Sequence, residues 1–97
     1  MSMNYYTYII TNKHNTVLYT GITSNLVARI FHHKNKSVSS FSSRYNLDKL
    51  VYFEVYEDIN QAIVREKQIK GGCRKKKIEL INKFNHEWID LYSSVCS

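Results

Sequence analysis

The sequence predicts an α+β domain in which a small three-stranded antiparallel sheet is flanked by helices. Three segments are rich in β-branched and aromatic residues, and two of them are close enough along the chain to form a hairpin. Between and after these segments, apolar residues recur at the three- and four-residue spacing of helices. The chain of 97 residues has no proline and no internal repeat, so we expect one domain, residues 1–97, with one core.

The first two strands form a predicted hairpin. Tyr5 to Thr11 and Thr16 to Thr20 are β-rich, and Asn12-Lys13-His14-Asn15 between them is typical of a turn. If these four residues form the whole loop, Thr11 pairs with Thr16, and the numbers of any two paired residues add up to 27. Tyr8 then lies directly opposite Tyr19, with both side chains on one face of the sheet.

A helix follows the hairpin. Gly21 ends the second predicted strand, and Thr23 or Ser24 can cap a helix from Asn25 to about Lys34. The serine-rich stretch from residue 37 to residue 43 is predicted to be a mobile loop.

The third strand and two more helices complete the prediction. Leu50 to Tyr56 is strongly β-branched and aromatic. Asp58 and Gln61 resemble a capping box for a helix that runs to about Lys70 and is stopped by two glycines. A basic helix is expected around residues 74–84, followed by a tail whose anchors are Trp88, Leu91 and Tyr92.

The charge of the chain favours a polyanionic partner. Fourteen Lys and Arg against eight Asp and Glu give a net charge of +6, which suits nucleic acid or an acidic membrane surface and equally suits a merely soluble basic protein. No apolar run is long enough to span a bilayer, and Met1–Asn4 is unlike a signal peptide. Because Cys73 and Cys96 are too few for a disulfide framework, we expect reduced thiols and a cytoplasmic location, with no membrane partner.

One carboxylate does not fit a purely structural pattern. Glu66 falls near the middle of the apolar face that Ile59, Ala62 and Ile69 mark on the second long helix. A carboxylate there is costly unless it is paired or binds a metal. A structural pair with a basic residue such as Arg29 explains it at least as well as a metal site, and a single carboxylate is a weak site even for magnesium.

Two further pairs could contribute to the same chemistry. Arg29 and His33 lie four residues apart on one helical face, where arginine can bridge phosphate oxygens and histidine can orient a phenol or move a proton. An amphipathic helix border explains each of them about as well. Tyr8 and Tyr19 could simply pack, and a phenol acts as a base only where a neighbour stabilises the phenolate.

Half of the basic residues lie in one short segment. Seven of fourteen fall between Arg65 and Lys77, and the glycines at 71 and 72 leave backbone amides free to approach an anion. Such clusters are often only solvated faces, but this one follows the helix that carries Glu66. We expect it to track a nucleic-acid backbone without reading sequence. The residues assigned to this role are Lys34, Lys70, Arg74, Lys75, Lys76 and Lys77.

Taken in order, the motifs resemble those of the GIY-YIG nuclease superfamily, in particular small stand-alone members related to the nuclease domain of UvrC. Tyr6-Thr7-Tyr8 and Tyr19-Thr20-Gly21 resemble its two tripeptides. Residues 21–33 resemble its arginine motif, residues 62–70 its glutamate motif, and residues 85–91 its closing segment. The resemblance covers nearly the whole chain, and the order and spacing of its parts are more specific than any one motif.

The resemblance implies hydrolysis of DNA phosphodiester bonds with one divalent metal ion, Mg²⁺ or Mn²⁺, held by Glu66. It further implies that Tyr8 is a general base or orients water and that Tyr19 is its partner. Arg29 would stabilise charge on the phosphate, and His33 would orient a tyrosine. Asn85 would shape the phosphate region. Structured or repair-type DNA is the expected substrate, with a protein partner for targeting and a monomer or weak homodimer as the oligomeric state.

The sequence also departs from the family pattern. Tyr6 replaces the first glycine, Thr7 and Thr20 replace the middle isoleucines, and His86 stands where proline is common. Residues 71–73 replace a stretch that is usually basic and aromatic. Two alternatives therefore stay open, namely a nucleic-acid-binding module on the nuclease fold without useful catalysis, and an interaction protein whose basic face meets an acidic protein.

Overall fold

The computed structural model describes residues 3–36 and 41–97, and the predicted α+β architecture is present in them. Three antiparallel strands form one sheet in the order β2-β1-β3, so β1 is central and β2 is an edge strand. The elements in chain order are β1 (Tyr5–Thr11), β2 (Leu18–Thr23), α1 (Leu26–Asn35), α2 (Phe41–Arg44), β3 (Lys49–Tyr56), α3 (Ile59–Gly71), α4 (Arg74–Phe84) and α5 (Tyr92–Cys96).

The predicted hairpin register was wrong by two residues. Thr11 pairs with Leu18, so Tyr8 lies opposite Gly21, and Tyr19 lies opposite Ile10. The loop is longer than expected because the Asn12 side-chain oxygen accepts hydrogen bonds from the amides of Thr16 and Val17, at 2.8 and 3.1 Å, which holds both residues out of the ladder. A shift of two residues keeps each side chain on its predicted face. Tyr8 and Tyr19 therefore still share a face, but as diagonal neighbours.

The longer loop also moves the second strand. β2 begins at Leu18, two residues later than predicted, and it continues through Gly21 to Thr23. Gly21 is therefore a buried residue within the strand, and the prediction that it ends the strand was wrong.

The two faces of the sheet carry separate clusters of buried side chains. On the face covered by α1, which we call the α1 face, Tyr8 and Ile10 pack with residues that include Leu26, Ile30 and Leu50. On the opposite face, which we call the α3 face, Ile9 and Val51 pack with Ile69 of α3 and Ile81 of α4. Alternate residues of β1 supply both clusters, as expected for a central strand covered on both sides.

The start of α1 differs from the prediction. Asn25 is the N-cap, because its side-chain oxygen accepts a 3.1 Å hydrogen bond from the Ala28 amide. Thr23, one of the two predicted caps, instead accepts from the Asn25 amide at 3.1 Å and so shapes the approach to the helix. Asparagine is an N-cap at least as favourable as serine or threonine, so both assignments fitted the pattern.

The predicted serine-rich loop contains a short helix. Residues 37–40 lie outside the described residues, but Phe41–Arg44 forms the one-turn helix α2. Ser42 is buried, and its carbonyl accepts a 2.8 Å hydrogen bond from the amide of Leu47, which is itself fully buried. These contacts hold α2 against the α1 face, contrary to the prediction of a loop there.

The predicted bounds of α3 and α4 were accurate. Asp58 caps α3 by accepting from the Asn60 amide at 2.9 Å, and α3 ends at the predicted pair of glycines. None of the helices in residues 3–36 and 41–97 is long and apolar enough to cross a membrane.

A carboxylate on β3 fixes α3 against the sheet. Glu54 accepts hydrogen bonds from Arg65 of α3, at 3.0 Å, and from the hydroxyls of Tyr52 and Tyr56. Burial alone would raise the pKa of Glu54, but these donated hydrogen bonds outweigh it and hold the pKa below its usual range. Burial and the same carboxylate raise the pKa of Tyr52 to about 12. This network positions the helix that carries Glu66.

Candidate active site

A pocket of about 490 Å³ opens on the α1 face, beside the edge strand β2. Helix α1 and the short helix α2 supply most of its remaining lining. Four of the six residues predicted from the sequence to be catalytic lie at or beside it in this structure: Tyr8, Tyr19, Arg29 and His33.

The phenol of Tyr8 lies over Gly21. A Cβ atom built on Gly21 would be 2.5 Å from the Tyr8 hydroxyl oxygen and 2.6 Å from its Cζ, which is closer than real Cβ contacts come. The Tyr8 side chain is only 2% exposed, so it has little room to move away. The absence of a side chain at Gly21 is therefore what admits the phenol to this position.

His33 connects Tyr8 to α2. Its Nε2 lies 3.2 Å from the Tyr8 hydroxyl, and its Nδ1 lies 2.8 Å from Oγ of Ser42. Burial lowers the pKa of His33, and the nearby cation of Arg29 lowers it further. At neutral pH the ring is therefore uncharged, with one nitrogen that donates and one that accepts.

The environment of Tyr8 keeps its phenol protonated. Burial raises the pKa of Tyr8 well above its ordinary value of 10. The positive charge of Arg29 lowers the pKa of Tyr8, whereas electrostatic repulsion from Tyr19 and Glu66 raises it further. All three groups are thus close enough to Tyr8 to act on its charge, although they come from three different elements.

Glu66 does not line the pocket. It belongs to α3 on the opposite face, and it pairs with Lys70 one turn later at 2.9 Å. The same Lys70 Nζ lies 5.6 Å from the centroid of the Tyr19 ring. The hydrogen bond from Lys70 to Glu66 raises the pKa of Lys70. Because β2 is an edge strand, no further strand separates α3 from the phenols on the α1 face.

The structural alternative for Glu66, an ion pair with a basic residue, is present, but its partner is not Arg29. The partner of Glu66 among the described residues is Lys70, and the Glu66 side chain keeps 15% of its surface exposed. Arg29 is exposed on α1 and is one of the residues that line the pocket.

The donor set at Glu66 suits a hard divalent cation that keeps most of its water. No group of three or more His, Cys, Asp or Glu side chains that could hold a metal occurs in residues 3–36 and 41–97. A caged zinc or calcium site in this part of the chain would need more protein ligands. Magnesium binds through one or two carboxylates together with waters and substrate phosphates, and the partly exposed Glu66 fits that pattern.

Asn85 does not line the pocket, and its side chain is hydrogen-bonded within the fold. Its amide nitrogen donates to the carbonyls of Val51 and Ile89, at 3.2 and 2.8 Å, and its side-chain oxygen accepts from the Ile89 amide. The residue is buried, and it caps α4 while joining the tail to β3. These bonds occupy the groups that would otherwise bind phosphate.

The six predicted nucleic-acid contacts divide into three kinds. Lys34 is held in the fold by an ion pair with Asp90 and a 2.8 Å hydrogen bond to the Asp48 carbonyl. Lys70 belongs to the active-site region through Glu66. The others lie in the first turn of α4, where Arg74 donates to the Asn15 carbonyl of the hairpin loop at 3.2 Å and Lys75, Lys76 and Lys77 follow.

Sequence reasoning missed three contributors to the site. Ser42 is one of several serines in its segment, and nothing local distinguishes the one that meets His33. Phe41 and Lys36 also line the pocket. Lys36 adopts a left-handed backbone conformation (φ 52°) at the end of α1, a position at which glycine or asparagine would have been expected.

The comparison with known families places this fold in the nuclease class of catalytic domains. The model of the GIY-YIG catalytic domain family matches residues 4–85, so the chain belongs to the GIY-YIG family. The family resemblance inferred from the motifs is thereby confirmed.

Similar proteins include several small members designated UPF0213. One from Clostridium perfringens is 40% identical over 77 residues, or 79% of this chain and 82% of the relative. Another, from Staphylococcus haemolyticus, is 35% identical over 77 residues, or 79% of this chain and 93% of the relative. The solution NMR structure of a UPF0213 protein from Bacillus halodurans matches with a TM-score of 0.58 and 25% identity, and the match covers 91% of this chain and 93% of that one.

Proposed function

We propose that this chain is a divalent-metal-dependent endonuclease that hydrolyses phosphodiester bonds in DNA. The observation that carries the proposal is the hydrogen bond between Tyr8 and His33, in a pocket also lined by Arg29. A buried phenol bonded to a neutral imidazole can transfer a proton, and an arginine beside it can neutralise a phosphate. The net charge of +6 favours a polyanionic substrate.

His33 is the proton acceptor in this proposal. The raised pKa of Tyr8 makes its hydroxyl a donor at neutral pH, so we assign the bond as Tyr8 O–H to His33 Nε2. The ring proton then resides on Nδ1, which donates to the Ser42 hydroxyl oxygen. A serine hydroxyl can accept this bond, so the Ser42 contact is compatible with the tautomer that leaves Nε2 free to accept.

The hydrolytic step follows from this arrangement. As water attacks phosphorus, its proton passes to the Tyr8 oxygen while the Tyr8 proton passes to His33 Nε2. The bond from phosphorus to the leaving oxygen breaks, and that oxygen takes a proton from solvent. Arg29 offsets the negative charge that grows on the phosphoryl oxygens, and His33 later returns its proton to solvent.

Glu66 is the residue that would hold the metal ion, with Mg²⁺ or Mn²⁺ as the candidate. When bound, the ion supplies Lewis-acid polarisation of the phosphoryl group. Lys70 is paired with Oε2 of Glu66, so a metal ion bound through that oxygen would compete with Lys70. We expect metal affinity to depend on substrate phosphate for this reason.

Cleavage of plasmid, single-stranded and branched DNA tests the proposal. Purified protein is incubated with each substrate in Mg²⁺, in Mn²⁺ and in chelator, beside the Tyr8→Phe variant. Phenylalanine keeps the ring but removes the hydroxyl that bonds His33, so we expect metal-dependent nicking by the native chain and a loss of about 100-fold or more in the variant. Metal-independent binding without cleavage of any form would instead support the alternative of a binding module.

A further inference from the structure

A row of aromatic rings leads out of the pocket from Tyr19. The ring of Phe41 stacks on that of Tyr19 with centroids 6.1 Å apart and an interplanar angle of 29°. The ring of Tyr45 follows, with its centroid 4.6 Å from that of Phe41. Phe41 is 49% exposed and Tyr45 is 42% exposed. We call Phe41 and Tyr45 the aromatic rim.

The aromatic rim is not needed to complete the core. Helix α2 is anchored by the buried residues Ser42 and Leu47, while Phe41 and Tyr45 keep nearly half of their surface in contact with solvent. Single exposed aromatic residues are common on protein surfaces and need no explanation. Phe41 and Tyr45, however, contact each other, and Phe41 also contacts Tyr19 in the pocket. Together they form a surface on which another flat ring can stack.

The charge around the aromatic rim indicates which class of ligand binds there. Phe41 lines the same pocket as two cations, Arg29 of α1 and Lys36 at the C-cap of that helix. A partner that places a flat apolar ring on Phe41 and an anion beside Arg29 matches both features. A nucleotide whose base is not paired has this combination, since its phosphate lies next to an exposed base face.

We propose that the aromatic rim stacks an unpaired DNA base next to the scissile phosphate, so that the substrate class is single-stranded or locally unpaired DNA. This inference rests on the proposed function in taking DNA as the substrate and this pocket as the site that holds the scissile phosphate. In intact duplex DNA, both faces of each base are covered by its neighbours, and reaching the rim costs the unstacking of a base. We therefore expect the aromatic rim to distinguish unpaired bases from bases stacked in a duplex, and not to distinguish one kind of base from another.

Fluorescence with a short oligonucleotide that carries 2-aminopurine tests the inference. Binding is measured in chelator, without cleavage, for the single strand and for the same strand in a duplex. We expect quenching of the single strand and an affinity about tenfold higher than for the duplex. Phe41→Leu and Tyr45→Leu should each weaken single-strand binding about fivefold or more and remove much of the quenching, while duplex binding stays within about twofold.

Phe31→Leu is the matched control, because Phe31 is also an exposed phenylalanine (52%) but lies on α1 outside the pocket lining. It should bind both forms as the native chain does, and Phe41→Trp should retain single-strand binding. Circular dichroism of each variant establishes that it is folded. Tyr45 provides an independent variant, since its described ring contact is with Phe41 and not with Tyr19.

Two results overturn the inference. One is unchanged single-strand binding in both Phe41→Leu and Tyr45→Leu, and the other is an equal loss for single strand and duplex. Failure of this inference can be distinguished from failure of the nuclease proposal. A chain that quenches 2-aminopurine in chelator but cleaves no DNA in the presence of metal would support the aromatic rim and contradict the proposed catalysis.

Discussion

Tyr8 and Gly21 lie opposite each other on β1 and β2, and the phenol occupies the space that a side chain at Gly21 would fill. This relationship connects a backbone feature to the proposed chemistry. In this position the hydroxyl of Tyr8 lies 3.2 Å from Nε2 of His33. What matters at residue 21 is thus the absence of a Cβ, since Gly21 does not have a positive φ.

Gly21→Ala should separate Tyr8 from His33. The new Cβ would approach the hydroxyl to 2.5 Å, so the buried phenol must shift. We expect a loss of about 1–3 kcal/mol in the free energy of unfolding and at least a tenfold fall in cleavage rate. Chemical denaturation and a cleavage assay measure both.

Gly71→Ala is the control for that substitution. Nothing lies within 4 Å of a Cβ at Gly71, which ends α3. We expect unchanged activity and equal or slightly higher stability, since alanine favours a helix. Equal losses of activity and stability in Gly21→Ala and Gly71→Ala would contradict the proposed clash between Tyr8 and a Cβ at residue 21.

Ser42→Ala should change the tautomer of His33. Alanine removes the 2.8 Å partner of Nδ1 while leaving Nε2 beside Tyr8. We expect nitrogen chemical shifts of His33 to show the proton on Nδ1 in the native chain and a mixture in the variant, with cleavage reduced about tenfold. Ser93→Ala, at an exposed serine of α5, should alter neither. Native shifts that place the proton on Nε2 would contradict the assigned proton path.

The pH dependence should follow the lowered pKa of His33. Burial makes the folded protein bind a proton on this ring more weakly than the unfolded chain does. The contribution of His33 to stability is therefore complete above about pH 6.5 and is lost as the pH falls below that value. Cleavage should decline at a still lower pH, where the folded ring becomes charged and can no longer accept from Tyr8. A proton NMR titration gives the pKa, and a value above 6.5 would contradict this account.

Two threonines at motif positions should respond oppositely to valine. Thr7 donates a 2.9 Å hydrogen bond to the Ala62 carbonyl of α3, whereas the buried hydroxyl oxygen of Thr20 has no partner among the described residues. Thr7→Val should lower the free energy of unfolding by about 1 kcal/mol, and Thr20→Val should raise it by about as much. Denaturant titrations measure both, and changes of the same sign would contradict the described contacts.

Much of the fold could be predicted because its signals are local. The α+β class, three strands, and the bounds of α3 and α4 follow from periodicity, the Asp58 cap and the glycines after Lys70. The hairpin register could not be predicted, because it depends on the side chain of Asn12 bonding two amides across the loop. Such a bond is one of several that an asparagine in a turn can make.

The candidate site was predictable only in part for the same reason. Tyr8, Arg29 and His33 were grouped through motif order and helical spacing, and the structure brings them together. The tie from His33 to Ser42 joins two segments through a serine that sequence alone cannot single out. Asn85 was assigned to the phosphate region from its motif, but its bonds to Val51 and Ile89 depend on how the tail folds back.

The most direct test of the central claim is the single-turnover rate of DNA cleavage by Glu66→Gln, measured beside Glu79→Gln in saturating Mg²⁺ or Mn²⁺. Both substitutions remove one helical carboxylate, but only Glu66 lies close enough to act on Tyr8, while Glu79 is exposed on α4. We predict a fall of about 100-fold or more for Glu66→Gln and a change within about twofold for Glu79→Gln. Equal rates in the native chain and Glu66→Gln would contradict the claim that these residues form a metal-dependent nuclease site.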